Sequence, residues 1–367
     1  MSRLQPAPSH LVESTGIDWR LQLPESHRRP LRAWLWSVAG ATMIVLMVGG
    51  ITRLTDSGLS MVEWQPLLGV VPPVTETQWE QRFDQYKQFP EYRHVRRGMT
   101  LAEFKVIYFW EYLHRMAARA IGLVFAVPFG IFWLRGYLSR PLALRALLLF
   151  GLGGLQGVMG WLMVSSGLID RPSVSHYRLA AHLSLALLIF GYSIWLALDL
   201  RLGRTRLRVP ASARRRMGRA AGVTGALLGL QIVWGALVAG LDAGRFFNTF
   251  PLMEGRVLPP GLLDAGAPAL LTDPAAVQWM HRVLGTLLLA AAVISFRAVR
   301  LPGADPSSRR LGALLLGMIS AQVVLGILTL LFLVPVGLGV AHQALATAIL
   351  GVWLAWLHHV THLAPTA

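Results

Sequence analysis

The chain has 367 residues, of which 54% are hydrophobic and only 14% charged, with no cysteine and a formal net charge of +16. A soluble domain carries about 25% charged residues, so an ordinary soluble fold is excluded. The missing cysteines exclude disulfides, thiolate haem ligation, cysteine-held iron–sulfur clusters and cysteine zinc sites.

Residues 1–33 read as a polar tail. It has no apolar core of a signal peptide, and Glu13, Asp18 and Glu25 do not suit a transit peptide. The first apolar run, 34–52, stops on "GGITRLTDSGLS" (49–60), where Arg53 and Asp56 stand among glycines and hydroxyl residues. A long loop, 53–105, follows. Further apolar runs occupy 106–134, 143–165 and 179–199. The basic stretch "RLGRTRLRVPASARRRMGR" (201–219) leads into runs at 217–240, 277–298, 309–334 and 337–357, with a second long loop at 241–276 and a short tail at 358–367. Each run is long enough to cross a bilayer as a helix, and none alternates as a barrel strand does. The sequence therefore predicts an all-α integral membrane protein with eight transmembrane helices.

The charge is not spread evenly. The segments 1–33, 135–145, 199–219, 297–310 and the tail after 357 hold 20 arginines and 5 acids, and everything else holds 14 basic and 13 acidic residues. An excess confined to alternate loops is the positive-inside pattern and not a nucleic-acid surface. It places both termini in the cytoplasm, in a bacterial inner membrane. Both long outer loops contain Pro, Trp and scattered charges, which predicts partly ordered caps.

The chain also repeats itself. "VGGITRLTDSGLS" (48–60) matches "WGALVAGLDAGRF" (234–246), "FWEYLHRMAARAIGL" (109–123) matches "AVQWMHRVLGTLLL" (276–289), "LQGVMGWLMV" (155–164) matches "AQVVLGILTL" (321–330), and "LAAHLSLAL" (179–187) matches "GVAHQALAT" (339–347). The order is preserved, so the expectation is two parallel-repeat four-helix bundles, 34–200 and 220–357, joined by a linker at 201–219.

Of eleven histidines, His114, His182, His281 and His342 fall within predicted spans, one on each even-numbered helix. Ionisable residues there are costly and commonly functional. Two per bundle at similar depth suit a cofactor held between facing helices. Packing through interhelical hydrogen bonds is the plain alternative, and zinc would want further ligands. His10, His27, His94, His358, His359 and His362 read as solvated, while His176, in an outer loop, is left open. Glu111 stands three residues before His114 and shares its helical face; the second half has Gln278 instead. A buried carboxylate can move a proton and glutamine cannot, so one half is expected to do acid–base chemistry and the other to bind. The alternative for Glu111 is a structural partner of Arg115 or Arg119. Arg115 and Arg282 follow His114 and His281, suited either to a propionate or to lipid phosphate.

The stretches 49–73, 103–123, 174–187, 277–286 and 340–346, taken in order, resemble the haem A synthases of cytochrome oxidase assembly, over roughly residues 30–360. The resemblance implies oxidation of the C8 methyl group of haem O to a formyl group. It implies a low-spin haem b held by His281 and His342, a haem O substrate near His114 and His182, and an essential acid at Glu111. Some bacterial members carry loop cysteines, and this chain is similar to the cysteine-free type of proteobacteria and mitochondria. Arg53 has no counterpart in the second half, where Ala239 stands, and is expected to help anchor substrate propionates. As partners the resemblance implies haem O and the lipid bilayer and no nucleic acid; it leaves open haem O synthase, an electron acceptor and a second copy of the chain. The competing readings are a di-haem cytochrome b-type electron carrier, which would not need Glu in one half and Gln in the other, and a transporter, whose site would lie at the bilayer midplane.

Overall fold

The computed structural model describes residues 11–13, 23–63, 70–169, 173–201, 205–259, 261–262 and 266–366. The centre of the 61–73 stretch, residues 64–69, and His10 lie outside them. Eight helices have the length and composition to span a bilayer. They are α1 (Glu25–Leu54), α4 (Leu101–Leu134), α5 (Arg140–Ile169), α6 (His176–Asp199), α7 (Ala211–Gly240), α9 (Pro274–Arg300), α10 (Pro306–Leu331) and α11 (Val336–Thr361). The loops carry α2 (Glu76–Lys87), α3 (Pro90–His94) and α8 (Ala269–Thr272), so the expected caps are partly ordered.

Most helices start earlier than their apolar runs, and local chemistry explains where. Thr100 caps α4 in a reciprocal box with Glu103. Asp273 and Asp305 cap α9 and α10, each with proline at the first helical position. The basic stretch 201–219 is only partly a loop. It forms the strand β2 (Thr205–Pro210) and then the first turns of α7, because arginine is a good helix former once no proline interrupts.

β2 lies between β1 (Leu11–Glu13), which it meets antiparallel, and β3 (Ala364–Thr366), which it meets parallel. The two ends of the chain and the mid-chain linker thus share one face, here termed the tail face; the opposite face carries the long loops. In the first half α1 packs on α4 and α6, and α5 on α6. In the second, α7 packs on α9, α9 on α10 and α10 on α11. The halves meet where α6 touches α7 and α11, and where α1 touches α11. Leu46, Ala186 and Leu187 form that seam with Ile232 and Leu350.

Between helices in lipid, close packing and hydrogen bonds replace the hydrophobic drive. Gly225 of α7 receives the Trp353 ring, whose Nε1 donates to the Ala221 carbonyl at 2.8 Å. A methyl group at Gly225 would lie 2.0 Å from that ring. Thr224 and Ser295 hydroxyls bond at 2.9 Å across α7 and α9.

The first loop packs Phe83 and Tyr86 on Phe104, Ile107 and Tyr108. Within it the Tyr86 hydroxyl donates to buried Glu91 at 3.0 Å. Burial pushes the Glu91 carboxyl up to about 7, against the lowering pull of Tyr86 and Arg96. The folded cap therefore binds a proton that the unfolded loop releases. Its stabilisation is full below the ordinary glutamate value and is lost as pH rises through about 7. Thermal unfolding followed by tryptophan fluorescence is expected to weaken between pH 5 and 8, and Glu91→Gln should flatten that dependence. An equal slope in the variant would assign it elsewhere.

Candidate functional site

Each of the four membrane histidines rests on a glycine of the helix before it. A Cβ built on Gly49 would lie 2.8 Å from His114 Cε1. The corresponding distances are 3.3 Å for Gly160 and His182, 3.1 Å for Gly235 and His281, and 2.9 Å for Gly326 and His342. A side chain at Gly49 or Gly326 would force the imidazole to shift, and one at Gly160 or Gly235 would press on it. Gly49, Gly235 and Gly326 each stand five residues before the end of their helix, at Leu54, Gly240 and Leu331. His114 lies further along its own helix than the others because α4 begins at Leu101. All four Nδ1 atoms are buried without a hydrogen-bond partner.

A glutamine accompanies three of the four. Gln156 and Gln231 donate to Nε2 of His182 and His281, both at 3.2 Å, and Gln156 also to the His182 carbonyl at 3.1 Å. Gln322 donates to the His342 carbonyl at 2.9 Å. Each glutamine stands four residues before its glycine. In α1 that position is Val45, which carries no amide side chain.

Glu111 and Gln278 occupy matching places with opposite hydrogen-bond polarity. Buried Glu111 accepts from Ser60 Oγ and the Met61 amide through Oε2, both at 2.7 Å, and from Arg115 through Oε1 at 2.6 Å. Gln278 donates through Nε2 to the Ala243 and Phe247 carbonyls at 2.8 and 3.1 Å, and its Oε1 accepts from Arg282 at 3.0 Å. Glu111 and His114 share a helix face but make separate hydrogen bonds. Beside its partners Ser60, Met61 and Arg115 lies a cavity of about 30 Å³, room for about one water, lined also by Glu63, Arg82 and Tyr108 among others.

A family model described as cytochrome oxidase assembly protein matches residues 32–354. Proteins named haem A synthase are similar over most of the chain. That of Parvibaculum lavamentivorans is 45% identical over 344 residues, covering 93% of this chain and 97% of its own. That of Maricaulis maris is 46% identical over 322 residues, 86% and 92%. That of Rhizobium meliloti is 43% identical over 330 residues, 89% of each.

The chain belongs to the haem A synthase family.

It is accordingly a multi-pass protein of the bacterial inner membrane and an oxidoreductase of cytochrome oxidase assembly. The residues present fit a haem in either half. Imidazoles in facing positions are haem-iron ligands, and here they are buried, packed on glycines that admit a ring and left with unpartnered nitrogens.

Other expected residues are placed less simply. The Arg53 guanidinium donates to Asp56 Oδ1 at 2.8 Å, to Asp242 Oδ2 at 2.7 Å and to the Ala239 carbonyl at 2.8 Å. It therefore ties the end of α1 to the end of α7, across the two halves. Asp56 and Asp242 both adopt left-handed backbone, φ 50° and 51°, which aspartate tolerates. Neither Arg115 nor Arg282 is given over to lipid. Arg115 donates to the Met61 and Glu63 carbonyls, and Arg282 to those of Pro251, Leu252 and Phe247, so each fastens the loop above its histidine.

Three histidines expected to be solvated are structural. His358 is buried and bonds Asp199 at 3.0 Å, His359 bonds Asp305 at 2.9 Å, and His27 stacks on Tyr137 with ring centroids 4.0 Å apart. Their partners are remote in sequence, so no local signal marked them.

Proposed function

We propose that the chain oxidises the C8 methyl group of haem O to a formyl group, making haem A for cytochrome oxidase. The observation that carries the division of labour is the polarity reversal at Glu111 and Gln278 beside two otherwise matching histidine pairs. The first half takes haem O at His114 and His182. The second holds haem b through His281 and His342, where a bound haem supplies one-electron transfer.

Turning a methyl into a formyl group replaces two C–H bonds by a C=O bond; written with water as the oxygen source it is R–CH3 + H2O → R–CHO + 4 e⁻ + 4 H⁺, the electrons passing to an electron acceptor and the protons leaving the site. Glu111 is the residue placed to receive a proton. Its carboxylate accepts hydrogen bonds from Arg115, Ser60 and the Met61 amide. A small polar cavity lined by Ser60, Met61 and Arg115 lies beside these partners. The uneven arginine distribution supports a periplasmic loop face. Arg53 contributes at the rim by holding α1 to α7 above the site, and any propionate contact must share its guanidinium with Asp56 and Asp242.

Val45 supports the same division. A ligand imidazole held by a second side chain is oriented and retained; glutamines reach the rings of His182 and His281 and the backbone of His342, and the matching place before His114 holds valine. A site that must release its product gains from that looseness. Val45→Gln is expected to tighten haem retention in the first half on the order of tenfold, read as extra haem per purified chain by pyridine haemochrome. Unchanged haem content would mean that the glutamines do not govern retention.

Deletion of the gene tests the function itself. Haem O should accumulate and haem A disappear from extracted pigments. Normal haem A in the deletion strain contradicts the proposal and leaves the di-haem electron carrier as the alternative.

A further inference from the structure

We propose that Asp199, His358 and His362 form a binding site for a zinc-class divalent cation on the tail face, where the two halves meet. Among the described residues they are the one group of three such side chains whose donor atoms all lie within 4.8 Å of one another. His358 and His362 stand four apart in the last turn of α11, so both imidazoles leave the same side of the helix. The ring centroids are 4.3 Å apart. Asp199 comes from the last residue of α6, in the other half. Asp199 and His358 are buried and His362 is half-buried.

The donor set is two imidazoles and a carboxylate, the types that bind zinc. His358 Nε2 and Asp199 Oδ1 are 3.0 Å apart. Two ligands at about 2.0 Å from a tetrahedral zinc lie roughly 3.3 Å from each other, so a small outward shift seats the ion. His362 bonds the His358 carbonyl through Nδ1 at 2.7 Å. A ligating histidine is commonly fixed by such a bond to a backbone carbonyl. A plain histidine–carboxylate pair needs no third donor. The neighbouring His359–Asp305 pair, at 2.9 Å, is such a pair and has none. The edge of the Trp195 ring closes one wall at 4.9 Å from the His358 ring. A cation here would fasten α6 to α11 on the tail face, as Arg53 fastens α1 to α7 on the loop face. This site stands apart from the four membrane histidines and does not depend on the haem assignment.

The test uses the intact haem-containing protein in detergent, stripped with chelator and equilibrated with buffered free zinc. Non-haem zinc and haem iron are measured on the same samples by plasma mass spectrometry and haemochrome. Wild type should bind one zinc per chain at micromolar free zinc, with a rise in Tm. His362→Gln and Asp199→Asn should each weaken uptake about 100-fold and lose the Tm rise, at unchanged haem content, while His359→Gln binds as wild type. His362 is half-buried, so its variant keeps the fold, and its haem content verifies that. The proposal is overturned if wild type takes up no stoichiometric zinc, leaving a hydrogen-bonded pair only. It is equally overturned if His362→Gln and Asp199→Asn bind zinc as tightly as wild type.

Discussion

Replacing Glu111 by glutamine is expected to stop haem A formation while the second half keeps its haem. Loss of a positioned acid–base group costs about 10²–10⁴ in rate. The structure indicates why the fold should survive. A glutamine oxygen can keep the bonds from Ser60 and the Met61 amide, and Arg115 still has the Met61 and Glu63 carbonyls. What is lost is the charge facing Arg115 and the capacity to take a proton. Gln278 shows that a glutamine is accommodated in the matching place when the loop turns carbonyls toward it. The measurement is pigment extraction from cells complemented with the variant, together with a reduced-minus-oxidised spectrum of the purified protein. Haem A at the wild-type level would remove Glu111 from the chemistry and leave it as a loop fastener.

The second large effect is expected at His281 and His342. Alanine at either should abolish the low-spin spectrum and lower haem content several-fold, because one imidazole cannot hold the iron in a six-coordinate low-spin state. The surroundings have no substitute. Gln231 reaches His281 and Gln322 the His342 carbonyl, but neither is a good haem ligand. A gentler variant separates ligation from folding. A methyl group at Gly326 would meet His342 Cε1 at 2.9 Å, so Gly326→Ala should tilt the ring and shift the electron paramagnetic resonance of a haem that is still bound. An unchanged spectrum in the alanine variants would mean that the halves are assigned the wrong way round.

All eight spans were legible because runs of about 20 apolar residues have few other readings. Their ends were not, because Glu25–Arg32 extends α1 by a charged turn and Leu101–Lys105 extends α4 by a turn that begins at the Thr100 cap. The four histidines were legible as intramembrane polar residues. Their glutamine partners were missed, although Gln-x-x-x-Gly recurs at 156–160, 231–235 and 322–326; an amide in a membrane helix reads as packing until its target is known. Arg53 was singled out because Ala239 stands in its place in the second half, but its tie to Asp242, 189 residues away, was not legible. The same distance problem hid Asp199 behind His358. Local sequence reports local hydrogen bonding well, and contacts between the halves appear only once the helices are assembled.

The division of labour between the halves can be tested with one protein carrying both His114→Ala and His182→Ala. Haem extracted from the purified double variant should be haem b alone, about one per chain, with an unchanged low-spin spectrum and no haem O or haem A. Loss of haem b, or retention of haem O, would contradict the assignment of substrate to the first half and cofactor to the second.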